Sequence, residues 1–114
     1  MLIAVPNCQG RVSPVFDVAA RLLLVRLKGE VELERKEIVL FERRRDEMVR
    51  DLKELGIKVL ICGGISQGLQ DALEHTGIRV LSQVCGELDA VITAYRRGTL
   101  NNAEFIMPGC CKRR

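Results

Sequence analysis

The hydrophobic period of this chain changes once, and that change limits what it can fold into. Before residue 41 the apolar residues come in continuous or alternating runs: LIAVP (2–6), RLLLVRL (21–27) and EVELERKEIVL (30–40). These read as three strands, the last two joined by a turn at Lys28-Gly29. Further on, helical spacing alternates with short β-branched runs. Met48, Val49, Leu52 and Leu55 share a helical face that stops at Gly56, and Ile65, Leu69, Ala72 and Leu73 share one that stops at Gly77. Leu88, Val91, Ile92 and Tyr95 form a third face, ended by Gly98. IKVLIC (57–62) and IRVLSQ (78–83) lie between these helices as buried strands.

Strand-helix-strand units require parallel neighbours joined by right-handed crossovers, whereas short links give antiparallel pairs. The order therefore predicts an α/β fold. Its sheet is five-stranded and mixed, with spatial order 3-2-1-4-5 in chain numbering and helices on both faces. Strands 1, 4 and 5 run parallel, and strand 2 opposes them. In the third run Val31 and Leu33 have the opposite parity to Ile38 and Leu40, so a bulge is expected near Arg35–Lys36. The body spans residues 1–100, and 101–114 reads as a tail without sustained periodicity.

Several function classes are disfavoured. Aromatics are 4% of the 114 residues and Trp is absent, so stacking platforms for single-stranded nucleic acid are not expected. A net charge of +3 is too mild for a nucleic-acid binder. No apolar run approaches the ~20 residues of a membrane span, and MLIAVP has no basic segment before it to make a secretory signal. A cytoplasmic location is expected. There the five cysteines stay reduced, and an odd number cannot pair fully within one chain. No Ser/His/Asp set, Walker-type loop or carboxylate-bearing first strand points to an enzyme. His75, the only histidine, falls near the end of the second helix, away from the cysteines. The run Arg43–Arg45 reads as a solvated face before Asp46 and Glu47 at a helix start.

The cysteines are the chemistry-bearing residues. Cys8 follows the first strand, Cys62 ends the fourth and Cys85 follows the fifth. In the order 3-2-1-4-5 these strands are parallel neighbours ~4.8 Å apart. Their thiols are then expected to gather at the carboxyl edge of the sheet, where open α/β folds place ligands. Thiolates bind soft metals and iron–sulfur clusters. In CGGIS, Gly63 and Gly64 would let backbone amides approach an anion beside a helix start; Gly86 in CGELD repeats the arrangement, and Arg11 and Ser13 add donors from the first loop. Cys110 and Cys111 in PGCCKRR are further sulfur donors. The plainer readings are that Cys62 is a small buried hydrophobe, Cys85 a filler at a helix start, Cys8 a loop residue and the tail pair inert.

Four segments, MLIAVP, GRVSPVFDVAARLLLV, VLICGGIS and CGELDAVITAYRRGTL, occur in that order over residues 1–100. Together they resemble the dinitrogenase iron–molybdenum cofactor biosynthesis family. The resemblance rests on Arg11, Ser13, Pro14 and Phe16 in the first loop, on Gly63 and Gly64, and on Gly86, Asp89, Ala94, Tyr95 and Gly98. It implies a ribonuclease-H-like fold and an iron–sulfur or iron–molybdenum-type cluster. Two positions depart from the pattern: Val15 stands where many relatives have histidine, and Asp17 where many have glycine. Cysteine must then do more of the ligation. The expected protein is a small carrier or scaffold without turnover, exchanging its cluster with donor and acceptor proteins. Cys8, Cys62, Cys85, Cys110 and Cys111 would be its metal ligands, and Arg11, Ser13, Gly63, Gly64 and Gly86 would hold the anionic sulfides. The alternative is a protein-interaction or regulatory module of the same fold without a cluster.

Overall fold

Strand β1 (Leu2–Cys8) lies at the centre of the sheet because it is apolar on both faces; Ile3, Ala4 and Val5 are fully buried. β3 (Arg21–Lys28) runs antiparallel to it, with Leu2 opposite Arg26 and Asn7 opposite Arg21. β4 (Val31–Val39) turns back along β3 and forms one edge of the sheet. On the other side of β1 lie β5 (Ile57–Ile61) and β6 (Arg79–Leu81), parallel to β1 and β5 respectively. This computed structural model describes residues 1–40 and 44–100. The expected tail, with Cys110 and Cys111, lies outside the described residues.

The strand period of two sorts the side chains into two cores. Leu2, Ala4, Leu22, Leu24 and Leu60 face helices α1 (Arg45–Glu54) and α2 (Gln67–His75). Ile3, Val5, Leu23, Val25 and Ile61 face helix α3 (Leu88–Arg97) on the opposite side. Each buried Leu, Ile or Val contributes ~1.5–3 kcal/mol relative to exposure, so the low aromatic content is offset by aliphatic packing on both faces. α3 ends as expected at Gly98, whose φ of +76° suits glycine and whose N–H donates to the last-turn carbonyls. Among the described residues no helix is long and apolar enough to cross a membrane.

Two expectations are corrected. The sheet has six strands rather than five, in the order β4-β3-β1-β5-β6, with the two-residue β2 (Arg11–Val12) pairing antiparallel to the end of β1. The five longer strands keep the neighbours that their chain order implied. The bulge in β4 falls at Leu33 rather than Arg35–Lys36, because Arg26 pairs with Glu34 while Leu27 pairs with Glu32. Leu33 is the extra residue, so Glu32 shares the α3 face with Arg35. The two form an ion pair of 2.6 Å, extended by Arg35 to Asp89 on α3 at 2.7 Å.

Candidate functional site

β1 and β5 pair only from Leu2 to Ala4. Beyond that point β1 carries Pro6, which has no N–H to donate, and its carbonyl accepts instead from the Ser13 N–H at 2.9 Å. The two parallel strands part at their carboxyl ends, and the first loop folds back into the opening. Val15 forms a parallel bridge to Gly64, with the Gly64 N–H donating to the Pro14 carbonyl and the Phe16 N–H to the Gly64 carbonyl, both at 2.7 Å. Phe16 is fully buried in the core under α1 and α2.

The same loop reaches the second cysteine turn. Arg11 and Glu87 form an isolated antiparallel backbone bridge, with the Val12 N–H donating to the Gly86 carbonyl at 2.9 Å and the Leu88 N–H to the Gly10 carbonyl at 3.0 Å. Cys8, Arg11 and Glu87 thus sit on three adjoining extended segments, about 5 Å apart per step. Gly86 has a φ of +134°, a conformation that glycine adopts readily.

This packing changes the role of the glycines. A Cβ on Gly63 would lie 2.6 Å from the Ser13 carbonyl oxygen and 2.7 Å from that of Pro14. Gly63 is required for the close approach of the loop. The Gly64 N–H, expected to face an anion, is already donated to Pro14. Ser13 also departs from its expected outward role. It is buried, with its hydroxyl 3.4 Å from the Val15 carbonyl and its N–H bonded to Pro6. Arg11 remains exposed.

Asp17 is the residue whose role the sequence concealed. The Ser66 N–H donates to Asp17 Oδ1 at 2.9 Å, and the Ser66 hydroxyl donates to Oδ2 at 2.6 Å. The carboxylate therefore stands at the positive N-terminal end of α2, the position anticipated for an external anion. No local signal marks this contact, because the partners are 49 residues apart.

The three described cysteines share the carboxyl edge in backbone terms but differ in environment. Cys8 ends β1 and is exposed, Cys85 is half-buried, and Cys62 is fully buried directly after β5. The Cys62 N–H donates to the Leu81 carbonyl, and its carbonyl accepts from Val84, both at 2.9 Å. Burial pushes the Cys62 thiol up to about 12, with the Asp17 carboxylate adding to the effect. It therefore keeps its proton at neutral pH, whereas metal ligation needs the thiolate. Among the described residues no group of three or more His, Cys, Asp or Glu is assembled to hold a metal ion. The three thiols are thus not a ready-made chelate in this conformation. His75 lies in the last turn of α2, as expected.

The mixed sheet, with helices on both faces, defines a protein of the α/β class. The family model described as dinitrogenase iron-molybdenum cofactor matches residues 1–98, and the chain belongs to that family. Similar solved structures agree on the fold. The crystal structure of PH0822 superposes with a TM-score of 0.84 at 23% identity, covering 90% of this chain and 95% of that one. A protein provisionally described as a dinitrogenase from Methanocaldococcus jannaschii gives 0.71 at 18% identity, covering 92% and 96%. The apo form of the orange protein from Desulfovibrio gigas gives 0.68 at 21% identity, covering 92% and 94%. No curated protein sequence matches the chain significantly.

Proposed function

We propose that this protein is a carrier or scaffold for a metal–sulfur cluster of the iron–sulfur or iron–molybdenum type, without turnover of its own. The observation that carries the reading is the placement of Cys8, Cys62 and Cys85 at one sheet edge in a chain whose first 98 residues match the cofactor family. One similar fold is named as the apo form of its protein, a term that implies a bound form. Residues 1–100 are the cargo-binding body and 101–114 a tail. Cys8 and Cys85 are the accessible sulfur donors, and Cys62 is a donor only when uncovered. Arg11 supplies positive charge to an anionic cluster from the exposed end of the first loop. Gly63, Gly64, Gly86 and Ser13 act by shaping that loop. Cys110 and Cys111 are supplementary donors. The partners are the proteins that deliver and receive the cluster, in the cytoplasm. The cluster is cargo, so ligands that are not pre-assembled suit a protein that must both take it up and release it.

Anaerobic purification with iron, molybdenum and acid-labile sulfide analysis tests this reading. Bound metal with matching sulfide is the expected result. A colourless protein that also refuses reconstitution would favour the interaction module.

A further inference from the structure

The first loop does more than connect β2 to β3. From Ser13 to Val18 it lies across Gly63-Gly64, the turn directly after Cys62, and its hydrogen bonds run mainly to Gly64 and Ser66. Two are the backbone bonds with Gly64, and two are the Ser66 bonds to Asp17. The remaining backbone tie is from Ser13 to Pro6. Gly63 and Gly64 present no side chains beneath it, so the segment sits flush; a methyl group on Gly63 would already collide with it. The outer face carries Val15 and Val18, which are 45% and 79% exposed. Phe16 is fully buried and belongs to the same cluster as Cys62, and Ser13 at the start of the segment is also buried. The segment begins directly after β2, which stays paired to β1 and bonded to Gly86.

We infer that Ser13–Val18 is a strap, latched by Asp17 on Ser66, whose local opening uncovers Cys62 for incoming cargo. The inference rests on the proposed function only in assigning cargo to the uncovered thiol. The latch is suited to release. Its two side-chain bonds are solvent-exposed, and water can replace an exposed hydrogen bond at little net cost. The anchor is suited to rare opening, because Phe16 must leave a fully buried position. The strap thus offers a route from a covered third sulfur to an exposed one while the central strands stay folded. Asp17 is a positioning residue in this device: it touches Ser66, and it acts on Cys62 by holding the strap down.

Native-state alkylation of the full chain with N-ethylmaleimide, followed by peptide mass spectrometry, tests the strap. Cys8 should label fastest and Cys62 slowest. The Cys62 rate should be nearly independent of low urea, as expected for local opening. Asp17→Asn should raise it about tenfold with the urea midpoint almost unchanged. Ser66→Ala, which removes one of the two latch bonds, should raise it less. The inference is overturned if Cys62 labels only with the urea dependence of global unfolding, or if Asp17→Asn changes labelling no more than it changes the global unfolding constant. Iron and sulfide uptake by the same variants is measured separately. If no variant takes up any cluster, the proposed function fails, while the labelling still decides whether the strap opens locally.

Discussion

The two Cys-Gly turns, Cys62-Gly63 and Cys85-Gly86, look alike in sequence, and each precedes a helix at the same sheet edge, yet they have different fates. Cys62 follows β5 directly, so its side chain stays in register with the core and is fully buried. Cys85 comes four residues after Leu81, the end of β6, and is half-buried. The first turn accepts the loop through close backbone contact on Gly63, whereas the second accepts it through Gly86 at positive φ. At the first turn Asp17 from the loop binds Ser66, the residue before the helix; at the second, the first helical N–H goes to the Gly10 carbonyl. A shared dipeptide therefore gives one covered thiol and one more open to solvent. The distance from the strand end and the loop lying above it make the difference.

Substitution of the two glycines should separate space from conformation. Gly63→Val places side-chain atoms where Ser13 and Pro14 carbonyls already lie, and overpacking against backbone should cost ~3 kcal/mol. Gly86→Ala puts a side chain on a residue at φ +134°, and that backbone strain should cost ~1–2 kcal/mol. Urea midpoints rank the two, and a Gly86 variant as damaged as the Gly63 variant would erase the contrast.

The alkaline limb of stability should report the covered thiol next. Cys62 has its folded value raised from 9.0 to about 12 by burial and then by Asp17. In the unfolded chain it ionises first, near its ordinary value. Stability from the neutral thiol is thus complete below about pH 9 and is lost as pH rises towards about 12, with a slope of up to one proton. Chemical denaturation between pH 8 and pH 11, as order-of-magnitude bounds on that window, should show this loss in wild type. Cys62→Ala should lose less than wild type over the same range. Equal slopes in the two proteins would mean that Cys62 is not sealed.

The smallest effect concerns the helix after the second turn. Asp89 pairs with Arg35 at 2.7 Å, but its side chain is 82% exposed. Asp89→Ala should change stability by less than ~0.5 kcal/mol, a difference that disappears in high salt. A loss above ~1 kcal/mol would give this pair a structural weight that exposed ion pairs seldom have.

Most of the fold was legible because the central strands are apolar on both faces and the helices keep strict 3-4 spacing. LIAV and LLLV cannot be half-buried strands, and glycines stop the helices. The two-residue β2 was not legible, since Arg11-Val12 has no room to show a period. The bulge was visible as a parity fault but not its position, because Leu33 and Arg35 repair the alternation equally well. The site was less legible for a different reason. A glycine turn before a helix looks the same whether its amides await an anion or are already bonded to the chain's own loop. Asp17 and Ser66 meet only through the fold, so no spacing rule could pair them. What the sequence did convey was the common edge, since Cys8, Cys62 and Cys85 all follow parallel strands.

If this edge holds a metal–sulfur cluster through its cysteines, cluster uptake must depend on them. Anaerobic reconstitution with iron and sulfide, followed by metal and sulfide counting per chain, tests it on wild type and on the folded triple variant Cys8→Ser/Cys62→Ser/Cys85→Ser. Wild type should bind matched iron and sulfide with visible absorption, and the variant should lose most of both. No uptake by wild type, or equal uptake by the variant, would contradict it.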